Sequence, residues 1–371
     1  MKIAFDHQIF TLQCYGGISR YVVRLAEALN SMGEEIQIDS LLHQNHYLFE
    51  SPVLRENRIH LDKFPKGLGR AASHINSLYA RYSHNKSKPN IIHETFFSSQ
   101  DARKKRFPTV LTVYDMIHER YPESFPKNDL TAKSKRNAVK RADSIICISE
   151  STRRDLLEYI DVDEAKVSVV YLGFDKQPVD KTQLTNRAKV ANNKPILLYV
   201  GSRAGYKNFS GLVRAMASSA RLKNTFQLVA FGGGPFTADE QRFFNDLGFR
   251  SDSISQTGGT DEVLNDYYQK ATAFVFPSIY EGFGLPPLEA MAQGCPVISS
   301  NSSSMPEVIG DAGVYFDPLA IEDITQVLEK TLFAEAGLAS LSQKGQKRIH
   351  DFSWHKCASQ TLAQYQILAG K

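Results

Sequence analysis

The strongest constraint on this chain is a pattern of short apolar strands alternating with amphipathic helices, which runs once, fades, and starts again. Strands are predicted at 2–5, 35–41, 90–93, 109–114, 144–148 and 167–171. A helix is predicted over 17–32, with Ile18, Tyr21, Val22, Leu25 and Leu29 on one stripe. Leu68, Ile75, Leu78 and Tyr82 predict an amphipathic helix over 69–82 in a region otherwise hard to read. Residues 174–194 are polar and lose periodicity, as a linker does. Strands at 195–200, 226–231, 253–256 and 274–276 then alternate with helices at 208–222, after Gly232-Gly-Gly234, and at 261–270. Helices at 321–334 and 337–350 follow, and a last one at about 354–368. Such alternation builds parallel sheets with helices on both faces, so each half is expected to be a doubly wound α/β domain. At 371 residues the chain exceeds one ordinary core. The expected domains are 1–178 and 190–353.

Composition narrows the classes. No apolar run approaches the ~18–20 residues of a membrane span, and Met1-Lys-Ile-Ala-Phe-Asp6 turns charged too early for a signal peptide. A cytoplasmic protein is expected. Cys14, Cys147, Cys295 and Cys357 are far apart and read as reduced thiols. The ten histidines show no H-E-x-x-H or paired spacing, so the sequence indicates no metal ligation. Segment 63–141 holds 17 Lys and Arg against 6 Asp and Glu, within a chain of net charge +4. That basic segment, with Arg103-Lys-Lys-Arg106 and Lys133-Ser-Lys-Arg136, reads as a solvated face or as a surface for an anionic membrane. No nucleic-acid module is visible.

One strand–loop–helix carries the most chemistry. Ala273-Phe-Val-Phe-Pro277 precedes Glu281-Gly-Phe-Gly-Leu-Pro-Pro-Leu-Glu289. Gly282 and Gly284 let a ligand approach the backbone. Pro286 and Pro287 suit a first helical turn, and Gly294 is placed to end the helix. Carboxylates at Glu281 and Glu289 suit the hydroxyl pairs of sugar and ribose. An ordinary strand–turn–helix explains the segment about as well when it is taken alone.

Three other places share its setting at strand ends. Cys14-Tyr-Gly-Gly-Ile18 follows the first strand and opens the first helix. Arg203 and Lys207 follow the first strand of the second half, where two cations match a pyrophosphate. Tyr114-Asp115 and His118 follow the strand at 109–114.

Together these motifs resemble the family 4 glycosyltransferases, which are retaining and have the GT-B fold, and the resemblance spans nearly the whole chain. It implies two Rossmann-like doubly wound parallel-sheet domains facing a cleft, with the final helix, 354–371, packing back on the first. By the same resemblance, Glu281 and the amides of Gly282, Phe283, Gly284 and Leu285 hold the donor sugar, and Glu289 holds the ribose. Arg203, Lys207 and the Gly17 backbone stabilise the phosphate. Asp115 keeps a family position, whereas Tyr114 stands where many relatives carry His, and His118 lies three residues on. Ser304-Met-Pro-Glu307 resembles a Pro-Glu element of the family but also reads as a plain helix start. The implied activity is transfer of a hexose, mannose from GDP-mannose, to a lipid-linked saccharide, with no metal cofactor, as in bacterial surface-polysaccharide assembly. A sugar-nucleotide 2-epimerase of the same fold is the alternative. A dinucleotide oxidoreductase is disfavoured because no G-x-G-x-x-G follows a strand.

Overall fold

A computed structural model describes residues 1–55, 58–65, 67–98, 106–175, 194–203 and 205–370. The expected linker, most of it, and the basic run 103–105 lie outside them. The chain divides into two compact units, Met1–Gly173 with Phe352–Lys371, and Phe174–Asp351.

The first unit contains β1 (Lys2–Phe5), α1 (Gln8–Leu12), α2 (Gly17–Ser31), β2 (Glu35–Ile38), β3 (Leu42–His43), α3 (His46–Glu50) and β4 (Ile59–His60). It continues with α4 (Leu68–Ser87), β5 (Ile91–Glu94), β6 (Thr109–Val113), α5 (Ile117–Arg120), α6 (Thr131–Arg141), β7 (Ser144–Cys147), α7 (Glu150–Tyr159) and β8 (Val167–Val169). Six of these strands form a parallel sheet in the order β2-β1-β5-β6-β7-β8. β3 and β4 make a separate parallel pair with His43 opposite His60. Sequence periodicity missed both, because a two-residue strand shows no alternation.

α4 reverses the expectation for its apolar stripe. Leu68, Ile75, Leu78 and Tyr82 face solvent, and the helix buries Ala72 and Asn76 instead. Asn76 anchors it: Oδ1 accepts from the backbone N–H of Leu41 and Leu42 at 2.9 Å each, and Nδ2 donates to Leu42 O at 2.8 Å. One amide thus docks the helix where four apolar side chains were expected to.

The second unit contains β9 (Ile196–Val200), α8 (Phe209–Ser218), α9 (Ala220–Thr225), β10 (Gln227–Phe231), α10 (Ala238–Asp246), β11 (Ile254–Thr257), α11 (Asp261–Lys270) and β12 (Ala273–Phe276). After these come α12 (Leu285–Ala292), β13 (Val297–Ser300), α13 (Met305–Ile309), β14 (Gly313–Phe316), α14 (Ile321–Leu332) and α15 (Glu335–Arg348). Its parallel sheet runs β11-β10-β9-β12-β13-β14. The order reverses between β9 and β12, and the crevice beyond the carboxyl ends of two such strands is where open α/β sheets bind ligands. Leu197, Tyr199, Leu228, Ala230 and Val275 from the strands pack with Phe209, Leu212 and Met216 of α8 beneath it.

The last helix, α16 (Trp354–Leu368), belongs to the first unit and packs on α2. Tyr365 is fully buried and its hydroxyl is hydrogen-bonded to His93 Nδ1 on β5. His93 Nε2 pairs with Thr112 Oγ1 at 2.8 Å, and that hydroxyl lies 3.3 Å from Tyr21 on α2. Burial holds His93 down at about 3, so the ring is neutral.

Candidate functional site

The loops after β9 and β12 meet at the reversal point of the second sheet. Lys207 closes a 3-10 turn, Gly205–Lys207, after β9. Glu281 follows β12. The N–H of Ile279 donates to Tyr206 O at 2.7 Å and joins the two loops. Lys207 Nζ donates to Glu281 Oε1 at 2.6 Å, with the side chains 20% and 12% exposed. Phe276 and Tyr206 flank the ammonium, their ring centroids 5.9 and 5.3 Å away.

The Glu281 loop is latched by serines whose role the sequence did not signal. The N–H of Glu281 donates to Ser303 Oγ at 2.9 Å. Ser304 Oγ is placed to donate to Glu281 O at 2.9 Å and Phe283 O at 3.1 Å. Ser303 holds a positive φ of 50°, an uncommon conformation for a non-glycine residue. The only sequence hint was that three consecutive serines follow Asn301 beyond β13. Ser304 also precedes α13, where Pro lies in the first turn and Glu307 near it, so the plain helix-start reading of that stretch holds.

Gly284 has φ +95° and caps α12; a Cβ there would meet Met305 Cε. α12 begins at Leu285 with prolines in its first turn and ends before Gly294, at φ +70°. Gly282, Phe283 and Gly284 are buried under this loop. Glu289, half-buried on α12, accepts from Tyr268 Oη at 3.4 Å. Burial, reinforced by this carboxylate, raises the Tyr268 phenol well above its ordinary range. Glu289 thus sits on the helix that the glycine loop opens, and Glu281 lies in the loop before it.

Arg203 departs from the expected arrangement. Nε and Nη2 donate to Glu240 at 2.6 and 3.2 Å, Nη1 to Gly232 O and Gly234 O at 3.1 and 3.0 Å, and Nη2 to Pro235 O at 3.1 Å. These contacts engage all five guanidinium N–H groups, and the group also lies over the Phe236 ring at 4.8 Å. Gly232, Gly233 and Gly234 all have positive φ, and the Gly232 and Gly234 carbonyls face the cation. The guanidinium in turn holds the Glu240 carboxyl below its usual range. In this structure Arg203 fastens the glycine loop after β10.

The first-unit candidates are apportioned differently. Gly17 is the exposed first residue of α2, and a Cβ on it would meet nothing. Tyr114 is buried, its hydroxyl donates to Thr95 O at 2.9 Å, and burial raises its pKa. Asp115 Oδ1 accepts the Ile117 N–H at 3.1 Å and lies 3.6 Å from Lys135 Nζ. Lys135 is fully buried, donates to Asp115 O at 2.8 Å and Glu119 at 2.7 Å, and faces the Phe97 ring. His118 stacks on Phe125 at 3.8 Å; burial, and after it the Lys135 charge, lower its pKa. Tyr114 and His118 are thus each held by contacts within the first unit.

A cavity of about 230 Å³ opens at the ends of β1, β2 and β5, lined among others by Asp6, Gln8, Asp39, Arg81, His84 and Glu94. Elsewhere in this unit His46, His60 and Asp62 come together with ligand atoms within 4.8 Å of one another, a cluster that spacing along the sequence could not reveal.

Two family models account for most of the chain: "Glycosyltransferase Family 4" over residues 15–177 and "Glycosyl transferases group 1" over 180–348. The chain belongs to the family 4 glycosyltransferases. This glycosyltransferase is 29% identical over 270 residues to O-antigen chain mannosyltransferase B of Escherichia coli, covering 70% of each chain. It is 31% identical over 227 residues to the serotype-specific mannosyltransferase WbdA of Escherichia coli, covering 59% of this chain and 28% of that longer relative. Among solved structures, sucrose-phosphate synthase from Thermosynechococcus elongatus superposes with a TM-score of 0.75 at 21% identity, covering the whole of both chains. The GT-B fold of the glycosyltransferase follows from that likeness.

Proposed function

We propose that the protein is a retaining mannosyltransferase that uses GDP-mannose and elongates a lipid-linked saccharide. The observation that carries this reading is the Lys207–Glu281 pair at the sheet-reversal point, beside the glycine loop that opens α12. A cation and a helix N-terminus provide positive potential for a diphosphate, and a carboxylate accepts sugar hydroxyls. Mannose as the sugar is supported by the names of the two Escherichia coli relatives.

In the proposed reaction the bond between sugar C1 and the β-phosphate oxygen breaks as the acceptor oxygen bonds to C1 on the same face. The acceptor proton passes to the departing phosphate. Lys207 offsets the charge that gathers there, Glu281 and the loop amides hold the sugar, and Glu289 holds the ribose. No metal is assigned a step. The carboxylate-lined cavity of the first unit suits a hydroxyl-rich acceptor.

Attachment to an anionic membrane is part of the proposal. Leu68, Ile75, Leu78 and Tyr82 are 38–66% exposed on α4, and Arg70, Arg81 and Lys86 are exposed on the same helix. Apolar side chains beside cations suit a lipid interface. No helix among the described residues is long and apolar enough to cross a membrane.

The test is a panel of nucleotide-sugars offered with lipid-linked saccharides, with NMR of the product anomer. Transfer of mannose with retained configuration is expected. Full turnover by Glu281→Ala, or epimerisation of the donor without acceptor, overturns the assignment. Binding to anionic vesicles should weaken with salt.

A further inference from the structure

We infer that His46, His60 and Asp62 form a binding site for a zinc-type divalent cation on the first unit, apart from the sugar-nucleotide residues. Three short elements build it. The β3–β4 pair sets His43 opposite His60, α3 starts at His46, and Asp62 follows two residues after His60. The His60 ring centroid lies 4.9 Å from that of His46 and 5.2 Å from that of His43.

The His60 side chain is only 9% exposed; its Nδ1 lies 4.0 Å from Asp62 Oδ1, and its buried Nε2 has no hydrogen-bond partner. Buried polar atoms nearly always have a partner, and each exception calls for a reason such as an ion. Two imidazoles and a carboxylate match the ligand preferences of zinc, cobalt and nickel; magnesium and calcium take oxygen ligands.

The geometry needs a small closure. Ligand atoms around a four-coordinate zinc stand roughly 3.3 Å apart, given zinc–nitrogen bonds of about 2.0 Å. Here they lie within 4.8 Å. The Asp62 side chain is 93% exposed and can rotate inward without disturbing packing. A fourth position remains for water or His43.

Backbone contacts say what the cation would brace. The His46 N–H donates to Cys14 O at 3.0 Å, Asn45 Nδ2 to Gln13 O at 2.9 Å, and Cys14 Sγ to Asp62 O at 3.5 Å. The ion ties β4 and α3 to the loop that leads into Gly17 and α2.

The experiment titrates the full chain with Zn²⁺ against a chromophoric chelator and records the visible spectrum with Co²⁺. One equivalent should bind, excess Mg²⁺ should not compete, and bound Zn²⁺ should raise the unfolding temperature. His60→Ala and Asp62→Asn should each weaken binding by more than about tenfold, since even an outer-shell change costs that much. His74→Ala, at an exposed histidine on α4, should change nothing. Asp62→Asn keeps the test decisive if His60→Ala disturbs folding. Absence of stoichiometric binding, or the same affinity in Asp62→Asn and His60→Ala as in the unaltered chain, overturns the site.

Discussion

Lys207 Nζ lies 2.6 Å from Glu281 Oε1, although 74 residues separate them along the chain. β9 and β12 are neighbours in the sheet, so the two loops that leave them are forced together. Each side chain holds the other in place over the crevice before any ligand arrives. Such preorganisation counts most where charge develops in the transition state.

Glu281→Ala should lower transfer by about 10²–10³-fold, the range for loss of one preorganised polar group at a reacting centre. Its thermal unfolding should stay near that of the unaltered chain, because the Ser303 and Ser304 contacts are made to the Glu281 backbone. Steady-state kinetics and a thermal melt of the same sample check both halves.

Arg203→Lys tests the contacts that Arg203 makes to the loop after β10. A lysine cannot span Glu240 and three carbonyls at once, so stability should fall by about 1.5–3 kcal/mol in urea unfolding. Nucleotide affinity should change less than stability. A large loss of nucleotide binding with unchanged stability would return Arg203 to the phosphate.

Lys135→Ala leaves Glu119, 3% exposed, without its cation. Breaking a buried pair from one side costs about 3–5 kcal/mol. The midpoint of denaturant unfolding should shift accordingly, and Lys135→Ala combined with Glu119→Gln should recover part of the loss.

His93 should make the first unit acid-sensitive. Its folded value, about 3, lies below the unfolded value near 6.5. The unfolded chain therefore binds the proton first, and stability is lost as pH falls from about 6.5 toward 3. His93→Gln should flatten that slope. Tyr365→Phe, which removes the partner on α16, should loosen the last helix at neutral pH, read by amide exchange.

The sequence by itself determined the two α/β units, most of their strands, and the glycine–proline loop of α12. Those signals are local: period-two and period-3.6 patterns, with Gly and Pro where backbone freedom or a missing N–H is needed. It also named Lys207, Glu281 and Glu289. The sequence did not say which of these side chains meet, because contact across strands depends on sheet order. Only the tertiary structure turned Arg203 to the Gly232–Pro235 carbonyls, latched Glu281 with Ser303 and Ser304, and engaged Tyr114 with Thr95. It also exposed the α4 stripe, because Asn76 docks that helix by hydrogen bonds. His46, His60 and Asp62 converge for the same reason: their spacing carries no pattern until β3 and β4 pair.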